Sequence, residues 1–117
     1  MSKSYTIALL PGDGIGPELS AEAVKILRAV EAVSAARFKI EEGAFGGEAY
    51  FTHGHAFPES TKEICDRADA ILKGPIGLSH ARSQEIPTDQ QPERAALLPL
   101  RQRYATFANF RPVFLPP

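Results

Sequence analysis

The segment Pro11-Gly12-Asp13-Gly14-Ile15-Gly16-Pro17 constrains the fold of this 117-residue chain more than any other. It follows Tyr5-Thr6-Ile7-Ala8-Leu9-Leu10, a short apolar run of β-preferring residues that Pro11-Gly12 ends, as a buried strand ends when it feeds a loop. Beyond the glycines, Pro17 suits the first position of a helix and Glu18 its positive end. Leu19, Ala23, Ile26, Leu27 and Val30 then recur at helical spacing, which predicts a helix from about Pro17 to Ser34.

The same alternation continues. Phe38-Lys39-Ile40-Glu41 reads as a second strand, Pro58-Glu59-Ser60-Thr61 opens a helix carrying Ile64 toward Ala68, and Asp69-Ala70-Ile71-Leu72 reads as a third strand. Strand, helix, strand, helix, strand indicates an α/β layer with a mostly parallel sheet flanked by helices, and places functional loops at the carboxyl ends of the strands. Lys73 to Gln91 is polar, holds Pro75, Gly77 and Pro87, and reads as a long loop. A helix from roughly Ala95 to Tyr104 follows. Pro99 is tolerable only in its first turn, so the helix is expected to begin near Ala96. Asn109 to Leu115 reads as a further strand.

A formal charge of −1 and a pI near 6.3 give no reason to expect nucleic acid or an anionic membrane as partner. One cysteine, Cys65, excludes an internal disulfide and reads as a buried helical thiol. The N-terminus lacks a secretory pattern and every apolar run is far short of a membrane span, so a cytoplasmic protein is expected. His53, His55 and His80 lack the spacing with Asp or Glu that a metal site requires.

Positive charge gathers late in the chain, in Arg94, Arg101, Arg103 and Arg111, with only Glu93 against them after Asp89. Arg101 and Arg111 are ten residues apart, on the helix and on the expected strand. Two planar guanidinium groups converging from those elements would fix a small dicarboxylate through paired hydrogen bonds; as surface charges they would only be solvated. Arg94, Leu97, Leu98 and Arg101 fall at spacings that put them on one face of an α-helix. Arg103 is offset by two residues from Arg101 and reads as a surface residue. The glycine loop permits close backbone approach to a ligand but equally serves as a tight turn, and it fails the Rossmann fingerprint, which wants glycine where Pro17 stands.

Leu10-Pro11-Gly12-Asp13-Gly14-Ile15-Gly16-Pro17-Glu18, Phe45-Gly46-Gly47, Ala68-Asp69-Ala70-Ile71-Leu72-Lys73-Gly74, Leu97-Leu98-Pro99-Leu100-Arg101 and Ala108-Asn109-Phe110-Arg111-Pro112 occur in this order. Together they make the chain resemble the isocitrate and isopropylmalate dehydrogenase family, along its whole length. The resemblance implies that residues 1–117 form a single N-terminal α/β segment of a longer, incomplete isopropylmalate dehydrogenase-like fold. The final Arg111-Pro112-Val113-Phe114-Leu115-Pro116-Pro117 agrees, reading as an apolar strand running into prolines with no closing helix.

It further implies oxidation of a 2-hydroxy dicarboxylic acid such as 3-isopropylmalate, with hydride transfer to NAD and decarboxylation assisted by Mg²⁺ or Mn²⁺. By the family pattern Arg101 and Arg111 bind substrate carboxylates, and Leu97 and Leu98 offer an apolar surface to its side group. Ile15, Gly74, Ile76, Gly77 and Leu78 lie near a cofactor held at a non-Rossmann site. Arg94 stands where isopropylmalate enzymes carry glutamate; facing the site, it would favour tartrate, malate or an unusual hydroxy acid instead. Lys73-Gly74-Pro75 leans toward the isocitrate branch. Metal ligands, the proton-transfer tyrosine and lysine, a further arginine and the adenosine loop belong to later sequence, so no catalytic or metal residue is assigned. Full-length members are expected to be homodimers, and this chain alone is expected to be inactive. The rival reading is a non-catalytic small-anion binding remnant.

Overall fold

The computed structural model describes residues 2–117. Strand β1 (Lys3–Leu10) leads through the glycine loop into α1 (Gly16–Val33), then β2 (Ala36–Glu42), α2 (Gly47–His53), α3 (Glu59–Arg67) and β3 (Ala70–Lys73). The strands pair in the order β2-β1-β3, all parallel, from Lys3 opposite Ala36 to Leu9 opposite Glu42 and from Ile7 opposite Ala70 to Leu10 opposite Lys73. Because β2 and β3 flank β1 on opposite sides, the winding reverses between β1 and β3. The carboxyl ends of those two strands form the crevice where open α/β sheets bind ligands.

Burial explains why β1 is central. Successive side chains of a strand face opposite ways. Ala8 and Leu10 enter a core with Phe45, Ala56, Phe57, Cys65, Ala95 and Ala96. Leu9, on the other face, lies beside Ser20, Ala21 and Val24 of α1. Asp69 fixes the register of β3: its backbone N–H donates to the Thr6 carbonyl at 2.8 Å and its carboxylate accepts the Thr6 N–H at 2.7 Å. Helix α1 packs through small or half-buried residues, whereas Leu19, Ile26, Val30 and Val33 form an adjacent apolar stripe left exposed. Of the residues whose periodicity predicts α1, only Ala23 and Leu27 are half-buried. No helix among the described residues is long and apolar enough to cross a membrane.

Four elements depart from the sequence expectation. Helix α2 was not predicted. It is seven residues long, opens on glycine and stops at Gly54, whose left-handed backbone donates to the Tyr50 carbonyl. Within the expected loop from Lys73 to Gln91, α4 (His80–Ser83) and a 3₁₀ turn (Thr88–Gln90) form. Gln91 pins them, its amide donating to the carbonyls of Ser83 at 2.9 Å and Ile86 at 2.8 Å. The next helix does not begin near Ala96. A π-helical turn, Glu93–Leu97, precedes α5 (Leu98–Arg103), and its wider coil lets the chain absorb Pro99, which has no N–H to donate. Finally, the expected strand from Asn109 to Leu115 is not formed. Residues 105–117 are irregular and exposed, and no neighbouring strand offers them the backbone partners that a strand requires.

Candidate functional site

The loops after β1 and β3 touch backbone to backbone. The Asp13 N–H donates to the Pro75 carbonyl at 2.9 Å and the Gly74 N–H to the Leu10 carbonyl at 2.7 Å. A methyl group added to Gly12 would overlap the Pro75 carbonyl, and one added to Gly74 would overlap the Pro11 carbonyl. Glycine at both positions is therefore a condition of the contact.

The residues nominated around the cofactor divide on this platform. Ile15, 64% exposed, stands at the start of α1, and Gly77 is exposed between two anchored neighbours. Gly74 lies against Pro11, Ile76 packs on the core, and Leu78 covers Gly47 at the start of α2. Ile15 thus lies on the loop after β1 and the other four on the loop after β3, and of the five Ile15 and Gly77 present open surface.

Asp13, only 3% exposed, is a functional candidate that sequence reasoning passed over. One of its carboxylate oxygens, Oδ2, accepts the N–H groups of Gly47 at 2.8 Å and Gly77 at 2.9 Å, and Oδ1 accepts that of Glu48 at 2.9 Å. The available signal was an acidic residue inside a glycine loop, where a carboxylate finds backbone donors to satisfy.

The arginine region is less convergent. Arg101 projects from α5 into an opening of about 440 Å³ shared with Thr106, Phe107, Ala108, Asn109 and Phe110. Thr106 folds this turn back, donating its N–H to the Arg101 carbonyl at 3.1 Å. Arg111 follows Phe110 directly, but it lies outside that lining in the exposed terminal segment. On its other side Arg101 borders a groove of about 500 Å³ with Leu97, Leu100, Ile71 and Lys73. Leu97 and Arg101 therefore meet. Arg94 is exposed and Leu98 is 49% exposed, both outside the groove's lining; for Arg94, the π turn between it and Arg101 interrupts the regular helical phase on which the shared face depended.

Lys73 adds a cation that sequence reasoning did not place here. Burial, and after it the positive charge of Arg101, hold its ammonium below the ordinary lysine value. Arg103 points elsewhere and ties α5 to α3 through two hydrogen bonds to Asp66, at 2.8 and 2.5 Å, which the Tyr104 hydroxyl joins at 2.7 Å. The hydrogen bonds of Arg103 and then Tyr104 keep the Asp66 carboxyl well below the usual carboxylate range. Burial and the Asp66 hydrogen bond push Tyr104 up to about 12. Cys65 is buried on α3, and burial raises its thiol pKa.

The sequence profile described as isocitrate/isopropylmalate dehydrogenase matches residues 6–116. The chain belongs to the isocitrate/isopropylmalate dehydrogenase family. It is 49% identical over 115 residues to the 3-isopropylmalate dehydrogenase of Shigella sonnei and 48% identical to that of Escherichia coli K12, in each case over 98% of this chain and 31% of the relative. It thus spans about a third of the length of the curated relatives it matches. Among solved structures, the β-decarboxylating dehydrogenase of Thermococcus kodakarensis superimposes with a TM-score of 0.61 at 32% identity, over 86% of this chain and 27% of that one. The isocitrate dehydrogenase of Methylococcus capsulatus gives 0.57 at 28% identity, over 65% and 21%. The three parallel strands and their helices are accordingly the N-terminal part of this family's fold.

Proposed function

We propose that this chain is the N-terminal α/β segment of an NAD- and divalent-metal-dependent dehydrogenase that oxidatively decarboxylates a 2-hydroxy dicarboxylic acid, 3-isopropylmalate being the favoured substrate. The observation that carries the reading is the family match over residues 6–116, combined with Arg101 and Leu97 bordering one groove beside the carboxyl end of β3. Arg101 would hold one carboxylate through paired hydrogen bonds, and Arg111 the other once its segment is seated. Leu97 supplies apolar surface beside Arg101; for Leu98, which is exposed, and for Arg94 the same seating would have to supply the contact.

A flat cofactor would lie at one end of the crevice. Gly14 and Gly77 have open space where a side chain would stand, and Ile15 offers an exposed apolar face for a ring to rest on. Bound there, NAD would accept a hydride from the hydroxyl-bearing carbon. The chain's own contribution is to orient that carbon by its carboxylates and to keep water from the ring face. Among the described residues no three His, Cys, Asp or Glu side chains converge to hold a metal ion, so no step assigned to this chain runs through Mg²⁺ or Mn²⁺. A homodimer in the cytoplasm is the setting we propose for the full-length protein.

A chimera tests the reading: residues 2–115 of this chain replace the matching segment of the Shigella sonnei enzyme. The chimera is expected to oxidise 3-isopropylmalate with NAD and Mn²⁺, while the 117-residue chain alone gives no turnover. Arg101→Ala in the chimera should lower kcat/KM at least about 30-fold, as loss of one partner of a desolvated charge pair does. A folded chimera that turns over tartrate or malate but not 3-isopropylmalate would reverse the substrate assignment.

A further inference from the structure

We propose that Asp13 is a positioning residue that holds the loop after β1, the loop after β3 and the start of α2 as one platform. The proposal rests on the cofactor reading above for what the platform carries. All of its bonds run to backbone. Asp13 donates its own N–H to Pro75, its carbonyl accepts the Gly16 N–H at 2.8 Å to start the turn into α1, and its carboxylate accepts three further N–H groups. Two of these, Gly47 and Glu48, belong to the first turn of α2, whose N-terminal donors have no acceptor within their own helix. The local residue at that helix start, Gly46, has no side chain to cap them. Asp13 therefore caps α2 from 34 residues away, and its negative charge lies at the helix's positive end.

The third donor, Gly77, is an exposed residue of the loop nominated for the cofactor. Oδ2 bridges Gly47 and Gly77, so moving either segment moves the other. The cradle is closed by Gly46, where a methyl group would come within 2.6 Å of Oδ2. A carboxylate with three backbone donors and little solvent is a rigid joint, since each donor left unpaired there costs free energy. Its use is preorganisation: the Gly77 loop is tied to the loop after β1 before any ligand arrives, which reduces the ordering cost of binding.

Asp13→Asn tests this with nearly unchanged shape. Asparagine offers one carbonyl oxygen and turns an NH₂ donor toward the remaining N–H. In the full 117-residue chain, amide hydrogen exchange at Gly47, Glu48 or Gly77 should accelerate about tenfold or more, while β1 amides exchange as in the wild type. Titration with NAD should shift the Ile15, Ile76 and Gly77 amides of the wild-type chain and require several-fold more NAD in the variant. Asp13→Glu, which keeps the charge and misplaces it, should loosen the same amides. Unchanged exchange at all three amides in both variants overturns the proposal, as does loosening of these amides with no change in the NAD concentration required. Loosened amides, with no NAD-induced shift at Ile15, Ile76 or Gly77 when the segment stands in the chimera described above, leave the joint standing and overturn the cofactor reading alone.

Discussion

Replacing Gly74 with alanine is expected to destabilise the chain by about 3 kcal/mol or more and to separate the loops after β1 and β3. The new methyl would overlap the Pro11 carbonyl, a rigid backbone atom that no rotamer change can clear. Relief requires moving the loop outward. That movement stretches the hydrogen bonds from the Gly74 N–H to Leu10 and from the Asp13 N–H to Pro75, two backbone links between these segments. Gly14→Ala is the matched control: its methyl meets no atom within 4 Å, so only its left-handed backbone, φ +57°, opposes the change, at roughly 1 kcal/mol. Denaturant midpoints of the two variants decide the matter. Equal small losses would mean that the loops are not in close contact.

Phe57→Ala should have an effect of similar or larger size, about 3–5 kcal/mol, through loss of buried surface and the cavity it leaves. Phe57 is 1% exposed, meets Phe45 edge to face with ring centroids 5.3 Å apart, and lies under the Lys62 ammonium. It belongs to the core that joins β1, α3 and the π turn. Against a typical total stability of about 5–15 kcal/mol, the loss would shift thermal unfolding by well over 10 °C. Phe110→Ala gives the contrast. Phe110 is 88% exposed and its truncation should change stability by under about 0.5 kcal/mol. A Phe57→Ala midpoint close to that of Phe110→Ala would contradict the packing described here.

The parallel sheet was legible because β1 is buried on both faces and so reads as an uninterrupted apolar run, and because the turns after it carry proline and glycine. Helix α2 was not legible, since its cap is Asp13, a residue distant in sequence, and no local pattern reports a remote cap. The π turn escaped for a related reason. Pro99 announces that a regular helix cannot pass, but not whether the chain answers by starting late or by widening a turn. The apolar run ending at Leu115 reports side-chain preference, whereas a strand also needs a partner for its backbone. At the site, the sequence reading put Arg94, Leu97, Leu98 and Arg101 on one helix face, and of these Leu97 and Arg101 line one groove. Arg94 was joined to them by ideal helical phase, which the π turn breaks, and Leu98 lies on the exposed side of α5. Lys73 was read as a branch marker only, because its closeness to Arg101 arises from packing of α5 beside β3 and not from sequence spacing.

Arginine side-chain resonances report whether Arg101 and Arg111 hold the two carboxylates of the substrate. The ¹⁵N-labelled chain would be titrated with 3-isopropylmalate while the Nε–Hε signals of all its arginines are followed. The account predicts that the signals of Arg101 and Arg111 shift together along one saturating curve, that Arg94 and Arg37 stay in place, and that Arg101→Lys abolishes the Arg111 shift. Uniform small shifts of every arginine, or movement of Arg94 without Arg101, would contradict it.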